Sequence, residues 1–231
     1  MIIQLLCIVL VDFINIQMHY FINKFTLVEF KNCTRWFLLH SMINSIIVYY
    51  SLPDLIECYK NPTECYKIPW NNNSINVYNY ALLLHIYHCL FFKLTRDDYL
   101  HHFLMVIICG ILCYGLQSII ISFALFFLTG LPGAIDYMLL YLVKIKKLDI
   151  IIEKNIYLYL SLFIRSPGCI CTTLIGSYGI IDYLNRKEYS NLFILSLNLL
   201  LIFWNGQYYL MRCYKSYIYK SIEASKNKFY Q

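Results

Sequence analysis

Residues 118–143 read SIIISFALFFLTGLPGAIDYMLLYLV, and this stretch decides the fold. Asp136 is its only charged residue, and the stretch exceeds the roughly 20 apolar residues that an α-helix needs to cross a bilayer. It lacks the strict alternation of a barrel strand and is longer than the roughly 10 residues that such a strand needs. The stretch therefore predicts a transmembrane helix.

Similar apolar runs recur along the whole chain. Hydrophobic residues make up 60% of the sequence and charged residues 14%, where a soluble domain carries about 25% charged residues. The runs cover 1–22, 36–52, 77–92, 101–116, 118–143, 156–178 and 191–211. We expect an all-α polytopic membrane bundle of about seven transmembrane helices, with an N-terminal helix and a six-helix core. The first run contains Asp12 and lacks a basic leader and a small-residue cleavage site, which favours a retained helix.

The basic residues indicate the orientation. The net charge is +6, but the basic residues are scattered between apolar runs, which argues against a nucleic-acid surface. With seven spans, 14 of the 19 Lys and Arg residues fall on one side and 4 on the other, and Arg165 lies within the sixth span. Because cytosolic loops are enriched in Lys and Arg, we expect a lumenal N-terminus and a cytosolic C-terminus in a multi-pass protein of the endoplasmic reticulum.

This orientation makes the loop 53–76 lumenal. It holds Cys58, Cys65 and the glycosylation sequon at Asn72. A disulfide between the two cysteines and glycosylation of Asn72 are expected in an oxidising lumen, and two free thiols with an unused sequon are the alternative. A second sequon begins at Asn32 on the cytosolic side and should stay unmodified. Among the ten cysteines there is no CxxC pair, which excludes zinc-ribbon and thioredoxin-like sites.

Several ionisable residues lie within the apolar runs. Each costs roughly 2.5–3.5 kcal/mol to insert, so such residues usually face a bundle interior and serve a function. At 1.5 Å per residue, one set lies about 5–12 Å below the cytosolic boundary and Arg165 lies deeper. That set comprises His40, His88, His101, His102 and Asp136. The alternative for the adjacent pair His101-His102 is that these histidines cap the start of a helix just after Asp98. The alternative for His85 or His88 is a core histidine bonded to a backbone carbonyl.

Two helix-breaking motifs lie beside the charged residues. Gly130-Leu131-Pro132-Gly133 precedes Asp136, and Ser166-Pro167-Gly168 follows Arg165. Broken helices beside charges are typical of membrane binding sites, and packing kinks are the alternative. The six histidines include no HxxHH box, so we expect no metal site.

The order of these elements resembles the TLC-domain family, which includes ceramide synthases and non-synthase lipid-handling proteins. The similar segments are Arg35…His40-Ser41, 87–102 with its closing DDYLHH, Asp136-(x2)-Leu139-(x4)-Lys144, Arg165, and Asn198…Trp204-Asn205…Met211-Arg212. The resemblance implies a TLC-like bundle over 35–215, an N-terminal helix and cytosolic loop over 1–34, and a basic cytosolic tail over 216–231. Ceramide synthases carry a His-Asp pair before the retained Asp, where this chain has Pro132-Gly133, and an acidic residue where it has Leu140. The implied membership is therefore of the wider family.

Two functions and one weaker alternative follow. The first is binding or handling of lipid near the cytosolic leaflet, for lipid sensing, transfer or membrane lipid homeostasis. The alternative is a ceramide-synthase-like N-acyltransferase acting on a sphingoid base, with acyl-CoA as co-substrate and no bound cofactor. The candidate catalytic residues are His101, His102 and Asp136, and the candidate substrate-binding residues are His40, His88, Arg165 and Asn205. A transporter is less favoured, since the two halves show no repeat.

The expected partners follow from the predicted membrane bundle and its lipid-handling function. We expect an integral membrane protein whose partner is a membrane lipid or an acyl chain. We expect no nucleic acid, and a homodimer is the candidate assembly.

Overall fold

The computed structural model describes the backbone of residues 1–25 and 32–229, without the side chains of 22–25, 32, 33, 97 and 227–229. The side chains of Asn32, which begins the second sequon, and of Asp97 therefore lie outside the described residues. Within the described ranges the chain is helical and contains no strand. The all-α class is confirmed.

Ten α-helices make up the described chain, and six of them join in pairs through π-helical turns. The α-helices are α1 Ile2–Phe25, α2 Asn32–Lys60, α3 Asn72–Phe91, α4 Arg96–His101, α5 Cys109–Leu116, α6 Ile119–Leu125, α7 Leu131–Lys144, α8 Ile150–Leu160, α9 Ser166–Asn185 and α10 Tyr189–Phe229. The π-helical turns His102–Ile108, Phe126–Gly130 and Ser161–Arg165 join α4 to α5, α6 to α7 and α8 to α9. These turns create three continuous rods over 96–116, 119–144 and 150–185. Such turns occur frequently at functional sites.

Five helical segments of the described chain are long and apolar enough to cross a membrane, so the expected count of about seven is not confirmed. They are Ile2–Phe21, Asp98–Leu116, Ile119–Lys144, Ile150–Asn185 and Tyr189–Lys226. Helices α2 and α3 are long enough but carry many polar residues, several of which are buried, among them Asn44, Asp54 and Asn79. Helices that turn polar groups toward a bundle interior lose average hydropathy, which accounts for the difference.

The distribution of side chains is reversed from that of a soluble bundle. Large apolar side chains such as Leu6, Phe13, Phe163 and Leu174 are exposed, while many polar ones are buried. An apolar exterior of this extent is what a bilayer solvates. The structure is thus consistent with a multi-pass membrane protein.

Helix α1 is held to the bundle by a buried ion pair. Asp12 is 1% exposed and accepts two hydrogen bonds from Arg35 of α2, at 2.6 Å from Nε and 2.5 Å from Nη2. The hydroxyl of Tyr87 on α3 donates to the same carboxylate at 2.6 Å. Bidentate geometry and a third donor offset the cost of burying the carboxylate. This pair explains how the first helix carries a carboxylate at membrane depth.

A tight turn joins the rods 96–116 and 119–144, which pack mainly against other helices, α5 against α10 and α6 against α2 and α3. Gln117 ends α5 in the left-handed conformation, with φ of 48°, and the side chain of Ser118 caps α6. The incoming loop holds this turn, because Trp70 N donates to Gln117 O at 2.8 Å and Ile119 N donates to Ile68 O at 3.1 Å.

Several helices extend beyond the apolar runs of the sequence. Helix α3 begins at Asn72 rather than 77, because Asn71 and Ser74 form a capping box. Helix α8 begins at Ile150 rather than 156, after the N-cap Asp149. Helix α10 runs through the expected 215/216 boundary to Phe229. Capping groups determine these helix ends, whereas hydropathy follows only the apolar part of each helix.

Candidate functional site: a histidine-lined cavity

A cavity of about 630 Å³ lies among α2, α3, the three rods and α10. All seven residues proposed from the sequence as catalytic or substrate-binding line it, although the structure does not test their roles. They are His40, His88, His101, His102, Asp136, Arg165 and Asn205. His85 also lines the cavity, so five of the six histidines of the sequence meet there.

Three side chains form a hydrogen-bonded chain whose direction the backbone determines. His85 Nδ1 lies 2.6 Å from the carbonyl oxygen of Ala81, which can only accept, so a neutral His85 carries its proton there. His85 Nε2 is then an acceptor, and His101 Nε2, at 3.3 Å, donates to it. His101 Nδ1 in turn accepts from the hydroxyl of Tyr209, at 3.3 Å. Both ring nitrogens of His101 are therefore occupied.

His102 differs from its neighbour in this respect. Its Nδ1 lies 2.5 Å from the carbonyl oxygen of Asp98, so Nδ1 carries the proton and Nε2 keeps a lone pair. Nε2 is buried and, among the described residues, has no hydrogen-bond partner. The Asp98 carboxylate forms a capping box with Thr95. The helix cap is thus made by Thr95 and Asp98, and the histidine pair does not make it.

Aromatic rings contact the other two candidate histidines, His88 and His40. The ring of His88 stacks on Trp36 at 3.9 Å between centroids, and the ring of His40 lies 3.8 Å from that of Tyr137. Nδ1 of His40 is buried without a partner among the described residues. These stacked rings hold the imidazoles in place while leaving ring nitrogens available to a ligand.

Arg165 donates hydrogen bonds to a backbone carbonyl that a proline cannot pair. Leu128 lies in the π-helical turn, and where the rod returns to α-helical register its carbonyl would accept from the N–H of residue 132, which Pro132 lacks. Arg165 donates to this carbonyl through Nε at 3.2 Å and also through Nη2. Its Nη1 donates to the hydroxyl of Tyr157 at 2.7 Å, and its guanidinium lies 4.6 Å from the centre of the Tyr209 ring. The two breaker motifs predicted from the sequence thus meet at this contact.

Asp136 lies in a cluster that sequence reasoning only partly found. Its carboxyl lies close to that of Glu153, which is fully buried and lies 3.0 Å from the ammonium of Lys154. Asp136 Oδ1 has no partner among the described residues, and Oδ1 of Asn205 on α10 is likewise buried and unpartnered. These unpaired acceptors are available to a ligand that donates hydrogen bonds.

Several site residues that the sequence analysis did not identify follow a regular spacing. Glu153 and Lys154 were assigned to a loop, and Tyr137, Tyr157 and Tyr209 to no role. In 150–165 the polar residues Glu153, Tyr157, Ser161 and Arg165 recur every four positions, the spacing of one helix face. Extending the helix N-terminally to its Asp149 cap would have revealed this face.

The lumenal features remain predictions. Cys58 and Cys65 are buried free thiols that lie close together, without a disulfide between them. Asn72 is exposed at the start of α3, while the sequon hydroxyl, Ser74 Oγ, donates to Asp54 Oδ2 at 2.7 Å. The described residues include no group of three or more His, Cys, Asp or Glu placed to hold a metal.

Comparisons with known proteins give no relative: no family model, curated protein or solved structure matches the chain. The TLC-domain resemblance therefore rests on the sequence segments quoted above.

Proposed function

We propose that the protein is a TLC-like membrane protein that binds a lipid or acyl chain in the histidine-lined cavity. The observation that carries this proposal is the change of polarity along the cavity. On the rod 96–116 the lining passes from Asp98, His101 and His102 to Met105 and Val106. An amphiphile has the same arrangement, with a polar head and an apolar tail.

Two other walls of the cavity follow the same order. On α3, His88 and His85 give way to Leu82, and on the rod 119–144, Asp136 gives way to Leu125. Lys93 and Lys154 line the polar end, at the helix ends that the basic loops mark as cytosolic. We therefore place the head group at the cytosolic leaflet of the endoplasmic reticulum membrane, with the N-terminus lumenal and the C-terminus cytosolic.

The test of this proposal is the lipid that copurifies with the protein. Arg165→Met removes the charged donor at the polar end, and Arg186→Met makes the same change at an exposed helix end. We expect mass spectrometry to find lipid in the wild type and in Arg186→Met, with clearly less in Arg165→Met. Equal lipid in all three proteins would refute head-group binding in this cavity.

A second function, acyl transfer from acyl-CoA to a sphingoid base, is favoured by one observation: the free lone pair of His102 Nε2. In that reaction the amine attacks the thioester carbon, His102 accepts the amine proton, and the CoA thiolate leaves and is protonated. The carbonyl of Asp98 would stabilise the imidazolium that forms, through the Nδ1 hydrogen bond.

The acyl-transfer function is tested with purified protein, acyl-CoA and sphingosine. We expect His102→Ala to lower amide formation by about 10²–10⁴, the usual contribution of a general base, with copurified lipid unchanged. His19→Ala, on α1 and outside the cavity lining, is the control. No amide formation by the wild type would leave lipid binding as the function of the cavity.

A further inference from the structure

The apolar end of the cavity is formed where α5 faces α3. The lining continues along α5 through Cys109, Gly110 and Cys113, and along α3 to Tyr78. From Asp98 to Cys113 the rod advances about 22 Å at 1.5 Å per residue. The hydroxyl of Tyr78 donates to the carbonyl of Gly110 at 3.1 Å, which joins the two helices across this end.

The volume of the cavity limits the size of its ligand. At about 30 Å³ per heavy atom, the volume of one molecule in liquid water, the cavity of about 630 Å³ holds about 21 heavy atoms. A fatty acid or another single-chain amphiphile is of that size. A glycerophospholipid with two long chains has more than twice as many heavy atoms, more than the cavity itself encloses.

Gly110 differs from most glycines of the bundle in what surrounds it. A Cβ at Gly133, Gly168, Gly176, Gly179 or Gly206 would overlap neighbouring side chains, so close packing requires glycine at those positions. A Cβ at Gly110 would meet only Leu82 Cδ1, at an ordinary 3.9 Å. Packing therefore does not require glycine at 110, and its missing side chain adds space to the apolar end of the cavity.

We propose that the ligand is a single-chain amphiphile and that Gly110 sets the longest chain the cavity accepts. This inference rests on the proposed lipid-binding function. It adds the class of lipid and the residue that limits the length of its chain. A larger side chain at 110 fills the end of the cavity and shortens the chain that can be bound.

The experiment compares Gly110→Leu with Gly115→Leu. Gly115 lies on the same helix but does not line the cavity, and a Cβ there would meet a flexible side-chain end, Ile194 Cδ1, at 3.3 Å. Delipidated proteins in detergent are titrated with octanoic, myristic and stearic acid and with dioleoylphosphatidylcholine, and bound ligand is counted by native mass spectrometry.

We expect the wild type and Gly115→Leu to bind stearic acid and not the two-chain lipid. Each methylene excluded from the cavity lowers affinity about fourfold. If leucine at 110 excludes about two to three methylenes, Gly110→Leu should bind stearic acid about 15- to 60-fold more weakly and octanoic acid equally well. Gly110→Ala, which fits without displacement, should show a smaller loss in the same direction and serves if the leucine variant does not fold.

The two levels of the proposal fail in different ways. If the wild type binds no fatty acid and no lipid, lipid binding itself is refuted, and the chain-length inference with it. If the wild type binds stearic acid but neither Gly110 variant weakens it, or if the two-chain lipid binds equally well, the proposed role of Gly110 and the single-chain class are overturned while lipid binding stands.

Discussion

The contact between Arg165 and the carbonyl of Leu128 gives a quantitative prediction about stability. Arg165→Met removes both donors to this carbonyl, and Pro132 offers no N–H in their place. Leu128 is 8% exposed, so solvent does not substitute. A buried acceptor left unpaired costs about 1–3 kcal/mol.

Restoring the backbone donor should recover part of this cost. Pro132→Ala supplies an N–H four residues after Leu128, where an α-helix would use it. In the Pro132→Ala background, Arg165→Met should therefore destabilise the protein by about 1–3 kcal/mol less than it does alone. The coupling energy compares the effect of Arg165→Met in the two backgrounds. The contacts that Arg165 loses with Tyr157 and Tyr209 are the same in both backgrounds, so their contribution cancels.

The assay is a double-mutant cycle on the free energy of unfolding in detergent. Pro53→Ala provides the matched control, because it also replaces a proline inside a helix, α2, but lies outside the cavity lining. We expect Arg165→Met and Pro53→Ala to be additive within about 0.5 kcal/mol. Additivity of Arg165→Met with Pro132→Ala would refute the idea that the arginine replaces the missing N–H.

Three further predictions concern packing and orientation. Asp12→Asn should lower the free energy of unfolding by about 1.5–3 kcal/mol, because it removes the charge-assisted hydrogen bonds between this buried carboxylate and the partly exposed Arg35, and thermal unfolding in detergent measures the loss. Gly168→Ala should cost about 1–3 kcal/mol in the same assay, since its Cβ would overlap the ring of Phe127, whereas Gly110→Ala should be neutral or stabilising. A glycosylation reporter at the C-terminus should stay unmodified while one beside Asn72 is modified, and the reverse pattern would invert the proposed orientation.

The sequence predicted the helical class and the inward-facing residues from one physical fact, the cost of a charge in lipid. His40, Asp136 and Arg165 were identified because each interrupts an apolar run, and the structure brings them to one cavity. Hydropathy could not identify Glu153 and Lys154, because it ends a helix where polar residues begin. In the structure Asp149 caps the helix earlier and turns both residues into the bundle.

The π-helical turns were also beyond prediction from sequence. Two of them lie beside breaker motifs, so a kink at each could be expected. The third, His102–Ile108, contains neither proline nor glycine and gives no local signal. All three place lining residues on the cavity, namely His102, Leu128 and Arg165. Local propensity does not determine such turns, because each depends on neighbouring helices to satisfy its shifted backbone groups.

The adjacent histidines show what packing adds to a motif. In the sequence His101 and His102 are equivalent candidates, but successive helical residues point about 100° apart and meet different neighbours. His101 bridges α3 and α10, through His85 and Tyr209, and both its nitrogens are occupied. His102 bonds only the backbone of its own helix and keeps Nε2 for the cavity. Loss of His101 should therefore loosen the bundle, whereas loss of His102 should affect the bound head group or the chemistry performed on it.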